Sequence, residues 1–423
     1  MNKKRKKIEL EREGAKLPRR LVRRNLVDQI APWLNREEVI VVTGARQTGK
    51  SVILFQLMFD HLLPRTTNIH YFNLDIPRHL EFFKDADRLV DLVRGNRGKS
   101  YVFIDEVQRL KEPGLFLKGL YDLHLPLKLV VSGSSALEIK SMVHEALTGR
   151  KALFHVNPFD LTELASAMFP GQKAPFKKVM EHYLTFGSYP AVALAGSKKM
   201  KLLLLKEIFQ SYLEKDVKSL LKIENETAFI NLIKLLSSQT GNIINKDELS
   251  NSLGIHKNTL DNYLFYLEQT FILDFVRPFY KNPRKELLKN PKIYFRDLGI
   301  RNFALQTFGD FRFRPDRGNI FENFVYLRLR EKVEEGTPIH FWRTKAGAEV
   351  DFVLVKGLKP VPFEVKAGEM REFKIGKSFR SFLMTYRPEK AYLINLSLNG
   401  NYRIAGTKIN FMDPAGLQKI KRI

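Results

Sequence analysis

The sequence predicts an α/β protein whose N-terminal part is a parallel β-sheet with helices on both faces. Three observations support this fold class. A glycine-rich octet, residues 44–51, lies between the apolar run 39–42 and an apolar helical pattern. A second apolar run, 101–104, ends in two acidic residues. Strand-like and helix-like segments alternate over this part of the chain, as in parallel sheets that bind ligands at the carboxyl ends of their strands.

The octet has the form G-x-x-x-x-G-K-S, which predicts a loop that binds the phosphates of a nucleoside triphosphate. Glycines are required because backbone N–H groups must wrap closely around the phosphates. Lys50 supplies a positive charge and the Ser51 hydroxyl a ligand for Mg²⁺. The residues predicted to bind ATP in this loop are Gly44, Ala45, Arg46, Gln47, Thr48, Gly49, Lys50 and Ser51.

The acidic pair Asp105 and Glu106 is predicted to complete the nucleotide site. Asp105 is expected to bind the nucleotide's Mg²⁺, directly or through water, and Glu106 to polarise the attacking water. Hydrolysis of ATP is therefore expected rather than binding alone. Ser134, after the predicted strand 128–131, is a candidate contact for the γ-phosphate. Arg150 is a candidate to reach a phosphate in its own chain or in a neighbouring subunit, with a plain surface salt bridge as the alternative.

These motifs resemble those of predicted prokaryotic ATPases of the AAA superfamily that are fused to a C-terminal domain of unknown function. One departure is Ser188, where the family usually has a second glycine, and we expect only a local loop change. The resemblance implies that the C-terminal part is similar to restriction endonucleases. It covers nearly the whole chain from about residue 21 and rests on segments 44–51, 104–108, 132–135, 149–150, 157–159, 183–190 and 294–299.

Side-chain alternation along two predicted C-terminal strands indicates a second cluster. Successive side chains of a strand point to opposite faces. In residues 361–366, Glu364 and Lys366 share one face, and Asp351 lies in the preceding strand, 348–355. If the two strands pair as a hairpin, the three side chains converge.

Two carboxylates and a lysine can support phosphodiester hydrolysis by a divalent metal. Asp351 and Glu364 are the predicted metal ligands, Lys366 is predicted to orient or deprotonate a metal-activated water, and Glu322 is a further candidate ligand. The spacing D-x12-E-x-K is similar to the PD-(D/E)xK nuclease signature, although Val350 stands where that signature has proline. Two alternatives remain: a degenerate nuclease domain that only binds, and a solvated strand face carrying a surface charge pair.

Between these regions, residues 246–264 predict two helices joined by a tight turn at Gly254, and the extended segment 271–276 suggests a winged helix. Such folds bind DNA but also serve as spacers between proteins. The residues predicted to begin the recognition helix are His256, Lys257, Asn258 and Thr259.

Composition also favours a nucleic-acid partner. The chain has 71 Lys and Arg against 46 Asp and Glu, a formal charge of +25, and an excess of this size attracts polyanions. Basic residues concentrate before residue 25 and between 281 and 292, where Phe279 and Tyr280 precede the second stretch. These aromatics are candidates to stack on bases or to belong to the local core. A solvated tail or binding to acidic membranes are the alternatives.

The absence of cysteine excludes disulfides and cysteine-ligated metal sites, and it suits a cytoplasmic location. No apolar stretch is long enough to span a membrane, and a homo-oligomer is possible. The predicted segments are a basic tail, 1–20; an AAA-type P-loop NTPase domain, 21–165; a helical lid, 166–225; a winged helix-turn-helix, 226–290; and a restriction-endonuclease-like α/β domain, 291–423.

The leading hypothesis is an ATPase acting on DNA, in which ATP and Mg²⁺ reposition the winged helix and the nuclease-like module. The rival hypothesis is a nucleotide-controlled switch whose C-terminal part binds a protein or DNA without cutting it. A third is a transcription regulator that uses the winged helix, which predicts a sequence-specific footprint.

Overall fold

The computed structural model describes residues 2–133, 146–218, 223, 225–279, 289–334, 337–356 and 359–420. The chain divides into two compact units, and each contains one β-sheet. The chain passes between the units several times. The first unit comprises Met1–Ala174, Ser188–Lys222 and Gln269–Phe271, and the second comprises Pro175–Gly187, Ile223–Glu268 and Ile272–Ile423.

The sheet of the first unit has five parallel strands in the order β2-β3-β4-β1-β5. Every residue of β1 is buried, because helices cover both faces of the sheet. The predicted α/β class and parallel sheet are therefore confirmed. The strands are β1 (Val39–Gly44), β2 (Ile69–Asn73), β3 (Ser100–Asp105), β4 (Leu127–Gly133) and β5 (Lys151–Val156).

The helix Lys3–Arg12 lies within the segment predicted to be a basic tail. Its Leu10 is buried in the same apolar core as Ile40 and Phe103, so the helix is anchored to the first unit although most of its residues are exposed. The other helices of the first unit are Asn25–Ile30, Lys50–Gln56, Pro77–Phe82, Ala86–Arg94, Pro113–Asp122, Leu161–Met168, Pro190–Leu194 and Lys198–Ser211. Shorter or irregular turns are Ala31–Asn35, Leu57–Leu62, Val107–Arg109 and Tyr212–Lys218.

The second unit contains a mixed sheet of eight strands in the order β12-β13-β11-β10-β9-β8-β6-β7. Strands β9 and β10 pair antiparallel, with Phe352 opposite Phe363, which is the pairing on which convergence of Asp351, Glu364 and Lys366 depended. The sheet already includes β6, which precedes residue 291. The strands are β6 (Leu273–Pro278), β7 (Lys292–Phe295), β8 (Ile339–Arg343), β9 (Glu349–Lys356), β10 (Lys359–Val365), β11 (Lys390–Ile394), β12 (Gly400–Ile404) and β13 (Thr407–Met412).

Two helices of the second unit approach so closely that one contact point must be glycine. A Cβ on Gly299 would lie 2.1 Å from the carbonyl oxygen of Phe186. Gly187 has a φ of 71°, whereas Ser188 does not have a positive φ, so its own backbone conformation does not require glycine. The helices of this unit are Phe176–Phe186, Glu226–Ser238, Lys246–Leu253, Lys257–Gln269, Leu298–Leu305, Arg317–Lys332, Lys377–Tyr386 and Pro414–Lys419, with a short turn Phe311–Phe313. Across the described ranges, no helix of either unit has the length and apolarity needed to cross a membrane.

Candidate nucleotide site and C-terminal carboxylate site

The glycine-rich loop connects the carboxyl end of β1 to the helix Lys50–Gln56. Gly44 is packed so tightly that a Cβ there would lie 2.3 Å from the carbonyl oxygen of Val156. Gly49 has a φ of 95° and Gln47 a φ of 60°. Backbone in this left-handed region turns N–H groups toward one side, which creates a concave site for anions at the start of the helix.

Lys50 is buried, and its ammonium group donates hydrogen bonds to the carbonyl oxygens of Gly44 at 3.1 Å and Ala45 at 2.9 Å. Burial lowers the pKa of Lys50, and the nearby carboxylates of Glu106 and Asp105 oppose that shift. A phosphate beside this ammonium would favour its charged form. The loop is thus suited electrostatically to a polyanion.

Asp105, at the carboxyl end of β3, is buried among hydroxyl groups. Its Oδ2 accepts a hydrogen bond from Tyr71 at 3.0 Å, and its Oδ1 accepts one from Ser132. Burial raises the pKa of Asp105, and hydrogen bonds from Ser132, Ser51 and Tyr71 oppose the shift. The structure therefore brings together Ser51 and Asp105, the two side chains predicted to bind Mg²⁺.

This donor set fits a nucleoside triphosphate with Mg²⁺. Lys50 and the loop N–H groups are placed to hold phosphate oxygens, and the paired oxygens of Ser51 and Asp105 are the ligand type that Mg²⁺ prefers. Mg²⁺ usually keeps several water ligands, so two protein oxygens are sufficient.

Glu106 follows Asp105 with a φ of 60°, a conformation that is uncommon for residues other than glycine. Its backbone N–H donates to Ser132 Oγ at 3.4 Å, and its side chain accepts a hydrogen bond from Gln108. Such strained backbone clusters at functional sites. Because Glu106 directly follows β3, it lies at the carboxyl ends of the strands, on the same side of the sheet as the loop.

Ser134 and Arg150 were the further candidates for contacts with a phosphate. Ser134 lies outside the described residues. Arg150 lies at the amino ends of the strands, opposite to the loop, since its carbonyl accepts a hydrogen bond from the N–H of Val39 at the start of β1. A strand of this length places Arg150 roughly 16 Å from the loop of its own chain. Its side chain instead pairs with Asp122 at 3.4 Å, so a contact with phosphate in its own chain is not supported, and a contact across subunits stays a prediction.

Sequence reasoning missed two residues that hold the loop from elsewhere in the first unit. Arg24 is buried, donates to the carbonyl oxygen of Thr48, and pairs with the buried Glu163 at 3.1 Å. Asp216 accepts hydrogen bonds from Arg46. The motif 157–159 pointed in part to this contact, because Arg24 also donates a hydrogen bond to the carbonyl oxygen of Asn157 at 2.8 Å.

In the second unit, pairing of β9 and β10 brings Asp351, Glu364 and Lys366 together. Asp351 Oδ2 accepts a hydrogen bond from the N–H of Val365 at 2.7 Å, and Lys366 Nζ donates to Glu364 Oε1 at 2.6 Å. Glu364 is buried, and its second oxygen, Oε2, has no hydrogen-bond partner among the described atoms. Glu364 is therefore not an ordinary residue of a solvated strand face.

The charges of this cluster are strongly coupled. Burial and the neighbouring carboxylates of Glu322 and Glu364 raise the pKa of Asp351 well above its usual range. Burial also raises the pKa of Glu364, although Lys366 opposes the shift. Burial lowers the pKa of Lys366, but the carboxylates outweigh it and the net shift is upward. Lys366 is thus better suited to orienting a water or an anion than to removing a proton.

Glu322, the further predicted metal ligand, already has two partners. Its Oε1 accepts hydrogen bonds from Lys292 at 3.1 Å and from Tyr294 at 2.6 Å. Lys292 is almost fully buried and also pairs with Glu349 at 2.6 Å. In the described part of the chain, no three His, Cys, Asp or Glu side chains form a group able to hold a metal ion. Asp351 and Glu364 remain a possible pair of ligands, whereas Lys292 holds Glu322.

The predicted helix pair is present, with Gly254 in the left-handed conformation at its turn. His256, Lys257 and Asn258 are exposed at the start of the second helix, and Thr259 is half-buried. Lys257 pairs with Asp247 at 2.6 Å, so part of the positive charge on this surface is already balanced.

The sequence matches three family models in succession. Residues 36–165 match a model described as an AAA domain. Residues 177–310 and 317–412 match two models described as domains of unknown function, DUF8612 and DUF4143.

Two uncharacterized relatives match most of this chain. An uncharacterized protein of Mycobacterium tuberculosis is 24% identical over 366 residues, which is 86% of this chain and 77% of that protein. One of Methanocaldococcus jannaschii is 24% identical over 355 residues, 80% of this chain and 77% of that protein.

Among solved structures, a Walker-type ATPase of Pyrococcus abyssi is similar with a TM-score of 0.47 and 14% identity, covering 67% of this chain and 96% of that chain. The ADP form of the ORC2 protein of Aeropyrum pernix has a TM-score of 0.39 and 13% identity, covering 69% of this chain and 96% of that chain. The family match and the site geometry lead to one conclusion: the chain carries an AAA-type ATPase-like domain, followed by segments that match two domain families of unknown function.

Proposed function

We propose that the protein is a Mg²⁺-dependent ATPase that acts on DNA through a phosphodiester-cleaving site in its second unit. The convergence of Asp351, Glu364 and Lys366 on paired strands carries the DNA part of this proposal. A buried carboxylate oxygen without a hydrogen-bond partner is costly, so its retention favours a functional role over a structural one.

In the first unit, the loop and Lys50 bind the phosphates, and Ser51 with Asp105 places the metal. Glu106 orients and polarises the attacking water. Bound Mg²⁺ would neutralise charge that develops on the phosphate oxygens. An in-trans role for Arg150 belongs to this proposal and requires assembly with further copies of the chain.

In the second unit, Asp351 and Glu364 would hold one divalent cation, which supplies an activated water. Lys366 stays protonated and orients the scissile phosphate or that water. The excess of basic residues and the exposed start of the helix Lys257–Gln269 support DNA as the substrate.

The test is cleavage of single- and double-stranded DNA by the purified protein with Mg²⁺ or Mn²⁺, with and without ATP. We expect nicking that is reduced at least about 100-fold in Lys366→Ala, the scale for loss of one group that stabilises developing charge. Lys359→Ala is the matched control, because Lys359 begins β10, the strand that Lys366 directly follows, but forms an exposed pair with Glu389.

Equal residual cleavage in wild type and Lys366→Ala would identify a contaminant and contradict the DNA part of the proposal. The second candidate function would then apply, namely a nucleotide-controlled switch with a non-cleaving second unit. The ion pair between Lys292 and Glu322 favours this alternative, because it neutralises a carboxylate of the cluster without a metal. Slow ATP turnover with tight retention of ADP would support it.

A further inference from the structure

Arg46 connects the phosphate-binding loop to a distant segment of the first unit. Its Nε lies 3.1 Å from both carboxylate oxygens of Asp216. Asp216 belongs to the irregular helical turn Tyr212–Lys218, which continues the helix Lys198–Ser211. Wide helical turns of this kind occur frequently at functional sites. The contact joins two residues 170 positions apart in the sequence.

Asp216 is a buried negative charge close to a site suited to a polyanion. Its side chain is 6% exposed, and it interacts electrostatically with Lys50 and Glu106 as well as Arg46. A carboxylate in this position repels phosphates unless a cation balances it. Arg46 balances it here, and a guanidinium is also well suited to phosphate oxygens.

We propose that Asp216 is a positioning residue of the nucleotide site: it competes with the phosphates of a bound nucleoside triphosphate for the guanidinium of Arg46. Binding of a triphosphate is thereby linked to the position of the segment Tyr212–Lys218. The inference rests on the proposed ATP binding and adds a residue that regulates the affinity of that same site.

Competition for one guanidinium predicts how the affinity for each nucleotide changes in the variants. Asp216→Asn frees Arg46 and lowers the Kd for MgATP by about 5- to 10-fold, the lower end of the usual range for coupling between sites. Because a diphosphate presents less charge to Arg46, the Kd for MgADP changes less. Arg46→Ala raises the Kd for MgATP, because it removes the guanidinium and leaves the charge of Asp216 unbalanced.

A pH profile separates this role from simple packing. Burial raises the pKa of Asp216 to about 6, and Arg46 and Lys50 oppose the shift while Glu106 adds to it. Protonation of Asp216 releases Arg46, so wild-type affinity for MgATP rises as pH falls from 8 toward 6. Other groups also titrate, and the difference between wild type and Asp216→Asn isolates the contribution of Asp216. Asp216→Glu keeps a titrating carboxylate and retains the slope.

The experiment is isothermal titration calorimetry of MgATP and MgADP with the full chain, from pH 6 to 8. Asp28→Asn is the matched control, because Asp28 forms an exposed pair with Arg23, and it is expected to bind like wild type. Unchanged or weaker MgATP binding in folded Asp216→Asn would overturn the inference.

Two further results keep the test decisive. If Asp216→Asn does not fold, Arg46→Ala decides, since equal Kd changes for MgATP and MgADP in that variant would also overturn the inference. Wild-type protein that fails to bind any nucleotide would instead refute the proposed function. Binding that is lost in Lys50→Ala but unchanged in Asp216→Asn would refute this inference alone.

Discussion

The nucleotide site and the C-terminal carboxylate site are built from different kinds of sheet. In the first unit, the strands are parallel and their carboxyl ends lie on one side of the sheet. Gly44 of β1, Asp105 of β3 and Ser132 of β4 meet there. In the second unit, an antiparallel pair brings Asp351 and Glu364 together from positions within and at the end of their strands.

The two sites also balance buried charge differently. Lys50, the cation of the first site, belongs to the same short motif as the phosphate-binding backbone. Lys292 and Tyr294, which hold Glu322 in the second, lie on β7, and Glu322 lies on the helix Arg317–Lys332. A sequence motif can therefore specify a complete site only when the residue that neutralises the buried charge of the site belongs to the same motif.

The largest expected effect on stability comes from removing the cation of the second site. Lys292→Met removes a buried cation and leaves the half-buried Glu322 without its ion pair, whereas Glu349 keeps Arg343 at 3.4 Å. The free energy of unfolding of the second unit is expected to fall by about 3–5 kcal/mol. Lys359→Met, in an exposed pair with Glu389, should cost no more than about 1 kcal/mol. Urea unfolding followed by circular dichroism measures both, and equal small effects would show that the buried pair is not required.

An intermediate effect comes from adding one methyl group where backbone approaches closely. Gly44→Ala in the first unit and Gly299→Ala in the second each place a Cβ within 2.3 Å of a carbonyl oxygen and should cost about 1–3 kcal/mol. Gly119→Ala, on an open surface of the helix Pro113–Asp122, should be neutral or stabilising by up to about 1 kcal/mol.

Calorimetric melting of these three glycine variants should show each clash variant lowering mainly the transition of its own unit. A Gly44→Ala protein that melts like wild type would show that the loop can shift away from β5.

The smallest effect concerns the raised pKa of Asp351. A carboxyl group whose pKa is raised in the folded state stabilises that state at low pH. This stabilisation is lost as the pH rises above the ordinary pKa of the group, about 4. Asp351→Asn should therefore raise the melting temperature of the second unit at pH 7 and lose that gain near pH 4. A gain that is equal at both pH values would show that Asp351 is not destabilised by its surroundings.

Local patterns predicted much of this structure. The run 39–42, the octet after it and the acidic pair at 105–106 specified a parallel sheet with a loop at its carboxyl edge, because strand direction alone determines which ends meet. Alternation in 348–355 and 361–366 likewise predicted two strands, and the observed pairing of β9 with β10 meets the condition for their polar side chains to converge.

Long-range packing accounts for what was not predicted. No local pattern shows that Arg150 pairs with Asp122, that Asp216 reaches Arg46, or that Leu10 enters the core. The same applies to Lys292, whose role depends on which strand lies beside the helix that carries Glu322. These contacts depend on tertiary structure rather than on the spacing of residues along one element.

The most direct test of two chemically separate sites in one chain is ATP turnover by wild type, Lys50→Ala and Lys366→Ala at saturating Mg²⁺. The account predicts that Lys50→Ala loses turnover by at least about 100-fold and that Lys366→Ala keeps it within a factor of about 3. Turnover that survives in Lys50→Ala, in protein folded as well as wild type, would contradict the assignment of the nucleotide site. Loss of turnover in Lys366→Ala would contradict the separation of the two sites.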